Sequence, residues 1–157
     1  MNQESYITEL FQKTKLPDSK PVALNRLKCM ERKMDKNKEF AADYCRKIEE
    51  YTQKGYIRKL SVTEAKREGQ KTWYLPHFGV VNPNKLGKLR LVFDAAAKSS
   101  GTSLNDHLLQ GPDLLINLTA IIWKFCQKSI AFCSDIKQMF HQVRIRDDDC
   151  SAQRFFW

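Results

Sequence analysis

The amino-acid sequence predicts an α+β fold, and three patterns carry that reading. Apolar side chains recur at helical spacing between residues 22 and 54, and two extended runs flank a cluster of turn formers between 73 and 94. A second apolar stripe of helical period follows residue 112.

Each element has its own signal. Residues 1–22 form a polar lead-in ending in Leu16-Pro17-Asp18-Ser19-Lys20-Pro21, whose two prolines predict an extended entry. From Val22 onward the pattern turns helical, with Leu27, Met30 and Met34 interleaved with Arg26, Lys28, Glu31, Arg32 and Lys33. A second helix places Phe40, Tyr44, Ile48 and Tyr51 on one face, and Gly55 stands where a glycine closes a helix. These aromatics read as core-facing rather than base-stacking. Residues 61–71 are charged and predict a short helix or loop opened by Ser61 or Thr63.

A hairpin comes next. Residues 73–81 can be extended, Asn82-Pro83-Asn84-Lys85-Leu86-Gly87 is dense in turn formers, and the run after Lys88 alternates. Leu89, Leu91 and Phe93 fall on one face of that strand, with Arg90, Val92 and Asp94 on the other. Ser99-Ser100-Gly101-Thr102 reads as a loop. Gly111-Pro112-Asp113 predicts a helix start, and Leu114, Leu118, Ile121, Ile122 and Phe125 predict a buried stripe ending near Lys128. Residues 129–134 read as a short apolar strand delivering Asp135 to its end, and Val143 with Ile145 predict another strand. Asp147, Asp148 and Asp149 then read as the cap of a following helix. Phe155-Phe156-Trp157 has the character of an apolar tip that opens a further core element, so the chain reads as cut short.

Composition narrows the function. The 157 residues allow one domain with a sizeable core, and 42% hydrophobic with 29% charged residues describes a folded chain, not a disordered one. No run approaches the roughly 18 apolar residues that span a bilayer, and the opening Met1-Asn2-Gln3-Glu4-Ser5 lacks a signal-peptide core. An intracellular protein without a membrane partner is expected. Lys and Arg outnumber Asp and Glu by 27 to 18, a net charge of +9. Such an excess attracts polyanions, of which nucleic acid is the commonest, and simple solubility charge is the other reading. The five cysteines and three histidines fall at no zinc spacing and suggest no disulfide framework. Neither a phosphate-binding glycine loop, a G-x-S-x-G elbow nor an H-E-x-x-H helix occurs.

Two places invite chemistry. Asp135 follows Ile130-Ala131-Phe132-Cys133-Ser134, and a carboxylate fixed at the end of an apolar strand needs water, hydrogen bonds or a cation. From that context alone a cap or strand-end turn is the favoured reading, and a metal ligand the alternative. Lys88 and Arg90 lie two residues apart on one strand, so both can face one phosphate group or simply face solvent.

An ordered series of segments carries a resemblance. Trp73-Tyr74-Leu75-Pro76-His77-Phe78-Gly79-Val80-Val81 through Leu89-Arg90-Leu91-Val92-Phe93-Asp94-Ala95, then Thr102-Ser103-Leu104-Asn105-Asp106 and Leu109-Gln110-Gly111-Pro112-Asp113-Leu114, are the first parts. The series closes on Ser134-Asp135-Ile136-Lys137-Gln138-Met139-Phe140-His141-Gln142-Val143-Arg144. Over residues 17–157 the chain resembles the reverse transcriptases of BEL/Pao-type LTR retrotransposons, with 27–60 similar to their basic helical lead-in.

The resemblance implies a partial right-hand polymerase: fingers over 23–103, part of the palm over 104–142, and a return toward the fingers over 143–157. It implies that Asp135 is the first metal-binding carboxylate of the palm and that the Ile136 carbonyl helps hold the nucleotide-bound metal. Phe140 would be the aromatic gate against the sugar 2′-hydroxyl, Arg90 the contact to the incoming triphosphate, and Phe78 a neighbour of the templating base. The family usually has a second histidine at Phe78 and a lysine at Asn82, for which Lys85 or Lys88 would substitute. The implied activity is template-directed DNA synthesis with magnesium, or manganese in its place. The implied partners are an RNA or DNA template–primer and deoxynucleoside triphosphates, in the cytoplasm, a virus-like particle or the nucleus. The chain contains no Y-x-D-D sequence, so by itself it is expected not to polymerise. A non-catalytic nucleic-acid-binding fragment, or a transposon remnant, is the alternative.

Overall fold

The structure, a computed structural model, describes residues 15–81, 88–111, 113–127 and 129–157. They are helical with one small two-stranded sheet, an α+β architecture. They divide into two compact units: one runs to Leu109 and takes in Ile145–Trp157, the other is Gln110–Arg144.

The first unit is built on a helical pair. Helix α1 (Lys20–Lys36) begins two residues earlier than the Val22 expected from sequence, because Pro21 is tolerated in the first turn, where its missing N–H is no loss. Ser19 does not cap it. Its hydroxyl instead accepts from the Tyr74 N–H at 2.7 Å, tying the helix start to the strand region. Helix α2 (Lys38–Gln53) is capped by Asn37, whose side chain accepts from the Phe40 N–H at 2.9 Å. Its four predicted core positions, Phe40, Tyr44, Ile48 and Tyr51, are all buried. Gly55, at φ +72°, ends it in a Schellman motif: Gly55 N–H reaches the Thr52 carbonyl and Tyr56 N–H the Tyr51 carbonyl. Helix α3 (Val62–Lys66) is opened by Ser61 and Glu64 in a reciprocal capping box.

Strands β1 (His77–Val81) and β2 (Leu89–Phe93) pair antiparallel, with Gly79 opposite Leu91 and Val80 opposite Arg90. The predicted turn 82–87, with Asn82 and Lys85, lies outside the described residues. The inner face packs on the helices, where Leu89 and Leu91 join Met30, Phe40, Tyr44, Ile48 and Tyr51. Gly79 permits this approach, since a Cβ there would meet Leu89, Phe40 and Tyr44 at 3.0 Å each. A second cluster gathers Leu16, Trp73, Leu75, Leu104 and Ala152, so Leu16, within the polar lead-in, is a core residue. The loop at 99–102 closes as a two-residue reverse turn with positive φ at Ser100 and Gly101.

Residues 145–157 add a further layer to this unit. A 3-10 helix (Asp147–Gln153) contains the three aspartates in its first turn, so they are part of the helix and not its cap. Asp149 is 1% exposed and its carboxylate meets the Lys71 ammonium at 2.8 Å. Arg154 then runs beside Tyr74, with Leu75 N–H donating to its carbonyl and its own N–H to the Trp73 carbonyl. Its guanidinium donates to the Ala65 and Arg67 carbonyls. Phe155 and Phe156 are half-buried rather than exposed: Phe155 packs on Phe93 and His77, and Phe156 stacks on Tyr74.

The second unit departs from its predicted form. Its main helix, α4 (Leu118–Phe125), starts at an Asn117 cap and not at Gly111-Pro112-Asp113. Asp113 spends its carboxylate on the Leu115 N–H, a local turn, while Asn117 accepts from the Thr119 N–H. Pro112 and Lys128 lie outside the described residues. The predicted buried stripe is exposed along its length, Leu114 and Leu118 included. Residues 129–136 form no strand, and Val143 and Ile145 form none either. Among the described residues no neighbouring strand supplies the ladder such segments need. One more turn of helix, α5 (Met139–Gln142), follows Gln138, which sits in the left-handed region at φ +55°. No helix of the described residues is long and apolar enough to cross a membrane.

Candidate functional site

The residues expected to handle phosphate lie on the hairpin. Because β2 alternates, burying Leu89 and Leu91 turns Arg90 outward, and it is exposed. Lys88, just before the strand, is exposed as well. On the same outer face the register sets Val80 opposite Arg90 and Phe78 opposite Val92. Phe78 is half-buried, packed at the edge of the core, with the Arg26 guanidinium 6.0 Å from its ring centre. Burial pushes the nearby Tyr51 phenol up, and cations that include Arg90 work against that shift. The inner face of the strand packs in the core while the outer face presents the cation.

The residues expected to handle metal lie in the second unit. Asp135 is exposed, in the irregular stretch that replaces the predicted strand. Ile136 and Phe140 are exposed too, the latter on α5. The one turn of α5 is held by the His141 N–H donating to the Gln138 carbonyl at 2.9 Å and by the Gln142 side chain donating to the Lys137 carbonyl. Magnesium in a nucleotidyl-transfer centre needs several oxygen ligands, with carboxylates converging on the ions. Among the described residues no three His, Cys, Asp or Glu side chains gather at one place. A single exposed carboxylate does not fit a two-ion centre, and no chemical step can be assigned to metal held by these residues.

Sequence reasoning passed over one constellation. His77 is buried, its Nε2 lies 2.7 Å from the Phe156 carbonyl, and its Nδ1 meets the Tyr44 hydroxyl. Phe155 and Trp157 pack edge-on against its ring, and Trp157 also stacks on Tyr44. Burial pushes the imidazole below its ordinary range, with the Phe156 carbonyl acting in the opposite direction, and pushes the Tyr44 phenol up. The partners are 33 and 79 residues away in sequence, so no local pattern announces them. The ion pair of Lys71 with Asp149 was hidden for the same reason.

Comparison with known proteins finds no matching family model, no matching curated protein and no matching solved structure.

Proposed function

We propose that this chain carries the fingers and first palm segment of a reverse transcriptase of the BEL/Pao type, and that its own contribution is to hold nucleic-acid and nucleotide phosphates. The observation that carries the reading is Arg90 turned outward on a strand whose other face is locked into the core, with Lys88 exposed beside it. A guanidinium so placed suits a triphosphate or a phosphodiester, because its planar fork of donors can meet two phosphate oxygens at once. Support also comes from the ordered run of motifs ending in Asp135, Ile136 and Phe140, which in this reading are the palm carboxylate, the metal-facing carbonyl and the sugar gate. The parent reaction is attack of a primer 3′-hydroxyl on a deoxynucleoside triphosphate. Magnesium chemistry belongs to the complete centre, which the carboxylates of these residues do not form.

A second reading is a non-catalytic nucleic-acid-binding protein. The net charge of +9 together with the failure of acids to gather among the described residues favours it.

Anisotropy of a labelled primer–template duplex separates the two. Binding should weaken steeply with salt, and Arg90→Ala should lower the slope of log K against log salt by about one phosphate contact's worth. Under the polymerase reading the complementary deoxynucleotide tightens the complex and Arg90→Ala abolishes that gain. Tightening by no nucleotide selects the second reading, and absence of duplex binding at low salt overturns both. Primer extension by the chain alone should be nil.

A further inference from the structure

The aromatic nest around His77 has a use that the phosphate-binding reading leaves untouched. A carbonyl only accepts, so the contact with Phe156 places the ring proton on Nε2. Nδ1 of the neutral ring is then a lone pair, and the Tyr44 hydroxyl donates to it. Both nitrogens are committed, one to α2 and one to the segment 154–157. That segment is held further by the Leu75 N–H on the Arg154 carbonyl at 2.7 Å and by Phe156 stacked on Tyr74 at 4.6 Å.

We propose that His77 is an acid-released latch: neutral, it ties residues 154–157 to α2 and the hairpin, and protonated, it lets that segment go. Among the described side chains that contact it, a charged ring meets no anion. Among the described residues, the rings packed round it are Tyr44 from α2, Phe93 from β2, and Phe155 and Trp157 from the segment itself, with the Phe156 carbonyl on Nε2. Tyr44 is the titratable side chain among them, and burial pushes its phenol up, so it offers no negative charge. A second ring proton, on Nδ1, would face the Tyr44 oxygen and force that hydroxyl to reverse and donate into apolar surroundings. Ring faces give an imidazolium weak compensation, less than a buried, unpaired charge requires.

Because burial depresses the imidazole in the closed state, the open state binds the proton more tightly. The latch is therefore intact above the ordinary imidazole range and weakens as pH falls below it. Glu68, which accepts from Tyr74 and is held below the usual carboxylate range chiefly by Lys20, titrates further down and does not share this window.

Hydrogen exchange of the Leu75 and Arg154 amides, corrected for intrinsic rates, reads the latch directly in the whole chain. Opening should rise about tenfold per pH unit below about pH 6.5, while helical amides near Ile48 keep their protection. His77→Gln, which cannot titrate, should flatten that dependence; the wild-type slope surviving in the variant would overturn the proposal. If the variant loses its far-ultraviolet dichroism, the ring proton of wild-type His77 followed by NMR replaces it. Its titration must coincide with loss of protection at Arg154, and titration with protection unchanged overturns the latch.

Discussion

Helices α2 and α4 make an instructive pair, because both show apolar residues at helical period and only one buries them. In α2, Phe40, Tyr44, Ile48 and Tyr51 meet the inner face of the hairpin, and Tyr44 is 0% exposed. In α4 no residue is buried, and around it Leu115 is 89% and Phe132 92% exposed. Periodicity is a local property that selects a backbone conformation. Burial needs a second surface of matching shape, and within the second unit the described residues do not supply one. The same apolar side chain therefore stabilises the first unit by kilocalories and the second by very little.

The largest test of this contrast uses two tryptophans. Trp73 is 1% exposed in the cluster with Leu16 and Leu104, and Trp123 on α4 is 72% exposed. Trp73→Ala should cost about 3–5 kcal/mol in urea denaturation, and Trp123→Ala should stay within about 0.5 kcal/mol. Equal costs would mean that α4 is packed in solution. A pair of glycines comes next. Gly79→Val presses on Leu89, Phe40 and Tyr44 and should cost about 1–3 kcal/mol. Gly111, with nothing within 4 Å of a Cβ, should accept valine without a change in midpoint. The smallest effect is one in which the two regions should agree. Ser61→Ala at α3 and Asn117→Ala at α4 each remove a cap that works through its own turn, so each should cost about 1 kcal/mol of local helix, read by amide exchange. A cap that matters in α3 and not in α4 would show that α4 lacks stable helix altogether.

What could be read from the residues has a common feature: it lies within a few positions of its cause. The stripe of α2, the glycine stop at Gly55 and the place of Arg90 on the strand face opposite Leu89 and Leu91 all follow from spacing of one to four residues, whereas the structure chose Ser61 over Thr63 as the cap of α3. The expected strand before Asp135 failed because an apolar run of five residues does not contain its partner, and a strand exists only as half of a ladder. The helix expected to start near residue 112 is found only from Leu118: Asp113 and Asn117 each met a nearer N–H, and the helix began after the second. The candidate site divides along the same line. The alternation of β2 foretells the exposure of Arg90, whereas nothing near Asp135 in sequence foretells the irregular backbone that holds it.

The sequence by itself determined α1 and α2, the stop of α2 at Gly55 and the two faces of strand β2, since each depends on short-range hydrogen bonds and on the periods of helix and strand. Tertiary structure alone decided that Leu16 belongs to the core and Phe155 packs against it, that Asp149 meets Lys71, and that His77 joins α2 to a segment 79 residues away. These contacts join parts of the chain whose separation along it says nothing of their distance in space. They form because a buried charge or ring nitrogen is unfavourable until some partner, wherever it lies in the chain, satisfies it.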